Sequence, residues 1–424
     1  MRFLSQIFQP ILTIPKNAKV KSTEVTCISQ KLLLECGLIR PTSAGLFTLL
    51  PLARRALDKL ENLVRQSIES AGGQRISLPS LTPVSFWERS GRLELCRSEL
   101  MMLSDRHSKK YVLAPTQEEA IADLLSDVSP LSYKQLPLLL YQISDKFRDE
   151  QRPKHGLLRS RQFVMMDAYG AHTDLTSAGR LYDSLSEQYA KLFERLRLDV
   201  YRVEAPSGEM GGSVSHEWHV KAEAGEDVIH YCQRCQLTGI GQTCVKCQKE
   251  INTSNSIEVG HTFILGTKYS EALGANYTTN EGLSKPILMS CYGIGLTRLL
   301  AASIESLADE KIRWPTILAP FSIIIIGPKE GSKEWSSGGW EKVLELSNEL
   351  SKLSNLTDDI LIDDRHNLTI GKRLLQADKM GYPITIVCGS GALDSPQVFE
   401  VKTTDSNTKL TLEQLATFVK EYLK

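Results

Sequence analysis

Apolar residues at Ala56, Leu57, Leu60, Leu63, Val64 and Ile68 keep the three-and-four spacing of one helix face, which predicts a helix over Ala53–Ala71. Gly72-Gly73 follows at once, where a helix end takes glycine. Arg75–Pro83 carries Pro79 and Pro83, which cannot donate to a ladder, so this run should be extended and lie at an edge or interface. Leu138–Glu150 and Gln162–Tyr169 read as strands around a Gly/Pro/basic loop. Leu181, Leu185, Tyr189, Leu192, Phe193 and Leu196 give Ser177–Leu198 one apolar face. Strands over Ser256–Leu265 and Pro286–Tyr292 follow, then a helix from Ile294 to Ser306. The rhythm changes near Trp314-Pro315. Strands at Phe321–Ile326, Ile360–Ile362 and Pro383–Val387 alternate with helices at Trp340–Leu353 and Ile370–Met380, and a last helix starts at Leu412. That alternation predicts a separate small α/β domain.

At 424 residues the chain has room for two or three domains with real cores. Its 42% apolar and 24% charged composition excludes disorder, collagen and coiled coil as the overall class. The longest apolar stretch, around Ile317–Gly327, is broken by Pro320 and too short for a bilayer, so no membrane partner is expected. Fifty basic residues balance fifty acidic ones, so contact with a nucleic acid would have to use local patches. Before Glu24 there are basic residues at Arg2, Lys16, Lys19 and Lys21 and no acid. Residues 1–23 therefore have the composition of a mitochondrial presequence, or equally of an ordinary basic arm.

Two groups of residues point to chemistry. Arg148, Glu150 and Phe163 could converge on an antiparallel hairpin: a guanidinium for phosphate, a carboxylate for an exocyclic amine and a ring to stack on a base. Alternatively, the same residues could form a charged hairpin with surface ion pairs. Ser290-Cys291-Tyr292-Gly293-Ile294-Gly295-Leu296-Thr297-Arg298 then runs from strand to helix, with glycines for close backbone approach and Arg298 where an anion is favoured. A third group, Cys232-x-x-Cys235 and Cys244-x-x-Cys247, has the spacing of four thiolates around structural zinc. A vestigial site and disulfides are the alternatives. His107 and His366 suggest no role, and Trp335 and Trp340 read as loop anchors.

In this order and at these separations, the chain resembles the class II aminoacyl-tRNA synthetases. The run ending at Pro79 is similar to motif 1, Phe147–Phe163 to motif 2 and Gly293–Arg298 to motif 3. Within that class it resembles the prolyl-tRNA synthetases, through Pro115-Thr116-Gln117-Glu118-Glu119, Met166-Asp167-Ala168-Tyr169, Ser215-His216-Glu217, Val259-Gly260-His261-Thr262-Phe263 and Leu265-Gly266-Thr267-Lys268-Tyr269. Only about 120 residues separate Tyr169 from Ser290, so the resemblance is to the short mitochondrial type without an editing insertion. Gln117, His155, Gln162 and Met166 depart from that pattern beside the main ligand positions.

The resemblance implies an α+β catalytic domain over residues 24–314, an antiparallel sheet flanked by helices, with the Cys-rich segment 230–250 in place of the insertion. A small α/β anticodon-binding domain should occupy 315–424. The implied activity is ATP-dependent formation of prolyl-adenylate and transfer of proline to tRNA(Pro) in the mitochondrial matrix, by a homodimer using ATP with Mg²⁺. Arg148 and Arg298 would be catalytic. Arg148, Glu150, Arg159, Phe163, Glu258 and Arg298 would bind ATP, and Thr116, Glu118, Arg148, His261 and Cys291 would bind proline.

Overall fold

The computed structural model describes residues 1–10, 25–128, 130–235, 237–239 and 243–423. The helix Pro51–Ser70 forms where its periodicity put it, with proline in the first turn, where its missing N–H is not needed, and Gly72 at φ +87° just past the end. The second long helix, Leu175–Arg195, is capped by Asp174, whose side chain accepts from the Ser177 N–H.

These helices and Leu296–Leu307 pack on one face of an eight-stranded sheet. In spatial order its strands are Val200–Glu204, Val214–Lys221, Asn252–Gly266, Leu288–Gly295, Gln162–His172, Leu138–Phe147 and Gln74–Arg75, with Asp227–Tyr231 paired beside Asn252–Gly266. All pairings are antiparallel except that of the two-residue edge strand Gln74–Arg75. The long strands alternate: Met166, Ala168, Tyr292 and Ile294 enter the helix-covered core with Tyr189, Leu192 and Phe193. The opposite face is left to build a site.

The C-terminal unit is a six-stranded sheet with Gly339–Ser351, Ile370–Met380 and Leu412–Tyr422 as its longer helices. Ile360–Asp363, Ile323–Ile326 and Ile384–Val387 are parallel and fully buried, hence their unbroken apolar reading. An antiparallel hairpin, Val398–Lys402 and Asn407–Thr411, completes the far edge. The near edge is closed by Arg2–Phe3, which pairs in parallel with Leu361 and Ile362. Leu4 is buried beneath it, and Asp364 accepts from the Ser5 N–H at 2.9 Å. Part of the expected leader, residues 11–23, lies outside the described residues; Arg2–Ser5 pack against the C-terminal unit, while Gln9 and Pro10 also meet Cys36 and Arg40 of the catalytic unit. One apolar cluster runs through both units, joining Leu299 and Leu300 to Phe321, Ile324 and Leu361. Arg55 and Lys59 of the first long helix reach Asp359 at 3.2 and 2.7 Å across the join. Among the described residues no helix is long and apolar enough to cross a membrane.

Candidate active site

The exposed sheet face forms a cavity of about 380 Å³. Strand Gln162–His172 turns Phe163, Met165, Asp167 and Tyr169 into it, Leu288–Gly295 adds Cys291 and Gly293, and Asn252–Gly266 adds Glu258, His261 and Phe263. Gly260 keeps the backbone open: a Cβ there would lie 3.0 Å from the Gly293 carbonyl oxygen on the next strand. A larger cleft, about 810 Å³, adjoins the cavity and shares Glu99, Arg148, Leu158, Glu258 and Arg298 with it. Arg148 sits at the junction.

The ten residues expected at the site all line one or both spaces. Thr116, Glu118, Phe163, His261 and Cys291 face the cavity, Glu150 and Arg159 face the cleft, and Arg148, Glu258 and Arg298 face both. The route differs from simple strand alternation. The strand ends at Phe147, so Arg148 and Glu150 project from the loop and owe their direction to it. The Arg148 N–H donates to the Arg161 carbonyl at 2.9 Å, and its guanidinium lies 5.3 Å from the Phe163 ring centroid. Among the described residues no carboxylate forms an ion pair with it. Burial and the nearby Arg298 push its pKa down, so this cation is poorly compensated.

The other charges pair with one another. Arg159 bonds Glu150 at 2.8 Å and Glu226 at 2.5 Å, and the Arg159 hydrogen bond holds the Glu150 carboxyl below its usual range. Arg298, third residue of Leu296–Leu307, donates to the Leu158 and Glu258 carbonyls at 2.9 and 3.1 Å. Burial raises the Glu258 carboxyl, but His261, Arg298 and Arg148 outweigh it and hold it low. His261 stacks on Phe263 with ring centroids 3.9 Å apart, and its Nε2 meets Ser215 Oγ at 2.7 Å.

At the closed end, Thr116 Oγ1 donates to Glu118 Oε2 at 2.5 Å. Burial, reinforced by Glu118, pushes the Cys291 thiol well up, so it sits there as a neutral group. Beneath lies a network that sequence reasoning left without a role. Lys146, fully buried, donates to Asp167 at 2.7 Å. Asp167 also accepts from Gln142 and from the Tyr169 hydroxyl at 3.1 and 2.8 Å. Tyr169 in turn accepts the Gln117 N–H at 3.0 Å, and the Gln117 side chain donates to the Pro79 carbonyl. The network therefore holds Gln117 between the two polar pocket residues. The available signal was a lysine and an aspartate at inward positions of two largely apolar strands. Arg92 and Glu119, also buried here, were missed as well; a Ser-Gly-Arg turn carries no such signal.

The four cysteines lie outside both linings. Cys232, Cys235, Cys244 and Cys247 offer sulfurs that all lie within 4.8 Å of one another, and all four are free thiols. The Cys232 and Cys244 N–H groups donate to the Leu237 and Lys249 carbonyls, closing two tight turns. N–H groups of Cys247 and Lys246 pull the Cys244 thiol down to about 7, while a hydrogen bond with Cys247 pushes the Cys235 thiol up. Gly241, between the two Cys pairs, lies outside the described residues.

Comparison with known proteins places this geometry. Residues 100–307 match the tRNA synthetase class II core domain (G, H, P, S and T), and residues 322–422 match an anticodon binding domain. A human protein named probable mitochondrial proline–tRNA ligase is 43% identical over 416 residues, covering 94% of this chain and 86% of its own. The chain belongs to the proline–tRNA ligase family. A bacterial member, from Sulfurimonas denitrificans, is 37% identical over 423 residues, covering 92% of this chain and 94% of its own. The fold of Giardia lamblia prolyl-tRNA synthetase, solved with prolyl-adenylate, superposes with a TM-score of 0.80 at 19% identity, over 93% of this chain and 78% of that one. Both family matches respect the division seen in the fold: the sheet with the cavity is the class II core, and the six-stranded sheet is the anticodon-binding domain.

Proposed function

We propose that this chain activates L-proline with ATP and transfers it to the 3′ end of tRNA(Pro). The observation that carries the reading is Arg148, a cation without an ion-pair partner among the described residues, at the waist between a small polar-ended cavity and a larger charged cleft. Proline fits the cavity with its ammonium toward Thr116 and Glu118 and its carboxylate toward Arg148, with His261 and Cys291 as walls. ATP fits the cleft and its junction with the cavity, with adenine toward Glu150 and the Phe163 ring beside Arg148 and its outer phosphates toward Arg159 and Arg298. A carboxylate oxygen attacks the α-phosphorus, the P–O bond to diphosphate breaks, and Arg148 spreads its charge over both reactants. Alignment alone supplies on the order of 7–11 kcal/mol, so no nucleophilic side chain is needed. The terminal ribose hydroxyl of tRNA then attacks the prolyl carbonyl, and AMP leaves.

Glu217 and Glu258 present the hard oxygen donors that suit Mg²⁺ on the phosphates, where the ion would neutralise developing charge. The cysteine quartet fits one structural zinc, because four thiolates about 2.3 Å from a tetrahedral ion lie roughly 3.8 Å apart. Four sulfur ligands leave no open position for catalysis. Homodimerisation through the Pro79 region is supported by exposed apolar Leu81 and Met102 on strands of one small sheet beside it. Action in the mitochondrial matrix is supported by the names of the human, rat and mouse relatives. The test is proline-dependent ATP–diphosphate exchange in Arg148→Ala, which should fall at least ~10²–10³-fold, as on losing one charge-stabilising donor. Near wild-type exchange would remove Arg148 from the reaction.

A further inference from the structure

The closed end of the cavity contains more charge than recognition of one ammonium requires. Glu118 and Glu119 are adjacent at the start of helix Glu118–Asp127, and both are buried. Two unpaired carboxylates so close in a dry site would not both stay ionised. Arg92, itself 4% exposed, divides its contacts unequally between them. Its Nη1 lies 3.0 and 3.3 Å from the two Glu119 oxygens but 3.5 Å from the nearest of Glu118. Ser90 Oγ donates to Glu119 at 2.9 Å, while Thr116 Oγ1 donates to Glu118. The guanidinium is held in place by Trp87 and Tyr269, 4.9 and 5.6 Å from their ring centroids, and by the Met210 sulfur at 3.2 Å.

Glu209 and Lys268 are the next charges at this end. Glu209 accepts from the Cys96 thiol at 2.9 Å, and Lys268 Nζ donates to the Glu209 backbone carbonyl at 2.7 Å, where burial lowers its pKa and Glu119 and Glu209 both act to raise it. Tyr269 and Cys291 are pushed up by burial first, so both stay neutral and add nothing. Three carboxylates therefore face two cations. One negative charge is left over, and the distances put it on Glu118.

We infer that Arg92 is a positioning residue that closes an ion pair with Glu119 and thereby leaves Glu118 as the one uncompensated carboxylate for the substrate's secondary ammonium. The inference rests on the proline reading of this cavity. Glu118 alone would contact substrate; Arg92 acts through its neighbour. Removing the Arg92 charge leaves two carboxylates to compete for one cation. Removing the Glu119 charge instead frees Arg92 to neutralise Glu118. Each single change should spoil the pocket, and both together should restore its balance.

The experiment measures proline KM, ATP KM and kcat by diphosphate exchange for R92M, E119Q, R92M/E119Q and E118Q, with thermal melting as a folding control. R92M and E119Q should each raise proline KM on the order of 10-fold, equivalent to about 1.4 kcal/mol of coupling, with ATP KM within about twofold of wild type. The double variant should recover most of the loss, which a merely structural Arg92 could not produce. A double variant as poor as the worse single, or an E119Q protein with unchanged proline KM, overturns the inference. The E119Q and double-variant arms decide it even if R92M fails to fold. Unchanged proline KM in E118Q would instead sink the proline assignment of the cavity, a separate failure.

Discussion

Lys146→Met tests whether the buried network under the amino-acid pocket holds it in place. The Lys146 side chain is fully buried, and the Asp167 side chain it meets at 2.7 Å is 5% exposed. Methionine preserves length and apolar volume but removes the charge, leaving Asp167 with only the Gln142 and Tyr169 donors. Removing one partner of a buried pair costs about 3–5 kcal/mol, because the other charge is left stranded. With an unfolding slope of about 3 kcal/mol per molar urea for a domain of this size, the midpoint should fall by roughly 1–1.7 M. Urea titration followed by tryptophan fluorescence reads this directly, since Trp87 and Trp218 are buried in the catalytic unit. Asp167→Asn added to Lys146→Met should recover at least half the loss by removing the stranded charge. Proline KM should rise in the single variant, because Asp167 holds Tyr169, and Tyr169 receives the Gln117 N–H beside Thr116 and Glu118. A Lys146→Met protein within about 1 kcal/mol of wild type would show that the pair bears no such strain.

Further outcomes follow from other parts of the fold. Burial holds His172 down at about 4 from an ordinary 6.5, so the unfolded chain binds the extra proton first as pH falls. Its stabilising contribution is complete above pH 6.5 and is lost toward pH 4, a loss of about 3 kcal/mol that His172→Gln should abolish in acid titrations of stability. Elemental analysis should find about one zinc per chain, and chelation should lower the melting temperature; metal-free protein with four titrating thiols and unchanged melting would contradict the site. Deleting residues 1–10 should destabilise the anticodon-binding domain by roughly 2–4 kcal/mol through loss of Phe3 and Leu4 burial, seen as a lower melting temperature. An unchanged melt would make that strand dispensable, as removal of a leader there requires.

What the sequence revealed depended on range. The helices Pro51–Ser70 and Ile370–Met380 and the buried parallel strands carry their own periodicity, so local pattern found them to within a few residues. The candidate site residues could be named from the order of the motifs along the chain, and the fold brings all ten to the two joined spaces. The expected strand Leu138–Glu150 ran too far, however: it ends at Phe147, so Arg148 and Glu150 project from the loop. The Arg2–Phe3 strand escaped notice because two residues have no period and their partners lie some 359 positions away. Arg92 was hidden for a related reason: its meaning comes from Glu118 and Glu119, brought to it only by the tertiary fold. The hairpin Val398–Thr411, with four Thr, two Lys and a Thr-Thr-Asp-Ser run between its strands, reads as loop until paired against the sheet.

Everything proposed for the two joined cavities, with Arg148 at their waist, depends on their activating proline with ATP. ATP–diphosphate exchange measured with purified chain against each of the twenty amino acids tests it most directly. Strong exchange with proline is expected, weak exchange with the smaller alanine, which sterics cannot exclude, and loss of both in Arg148→Ala. Exchange driven best by another amino acid, or proline exchange that persists without Arg148, would contradict it.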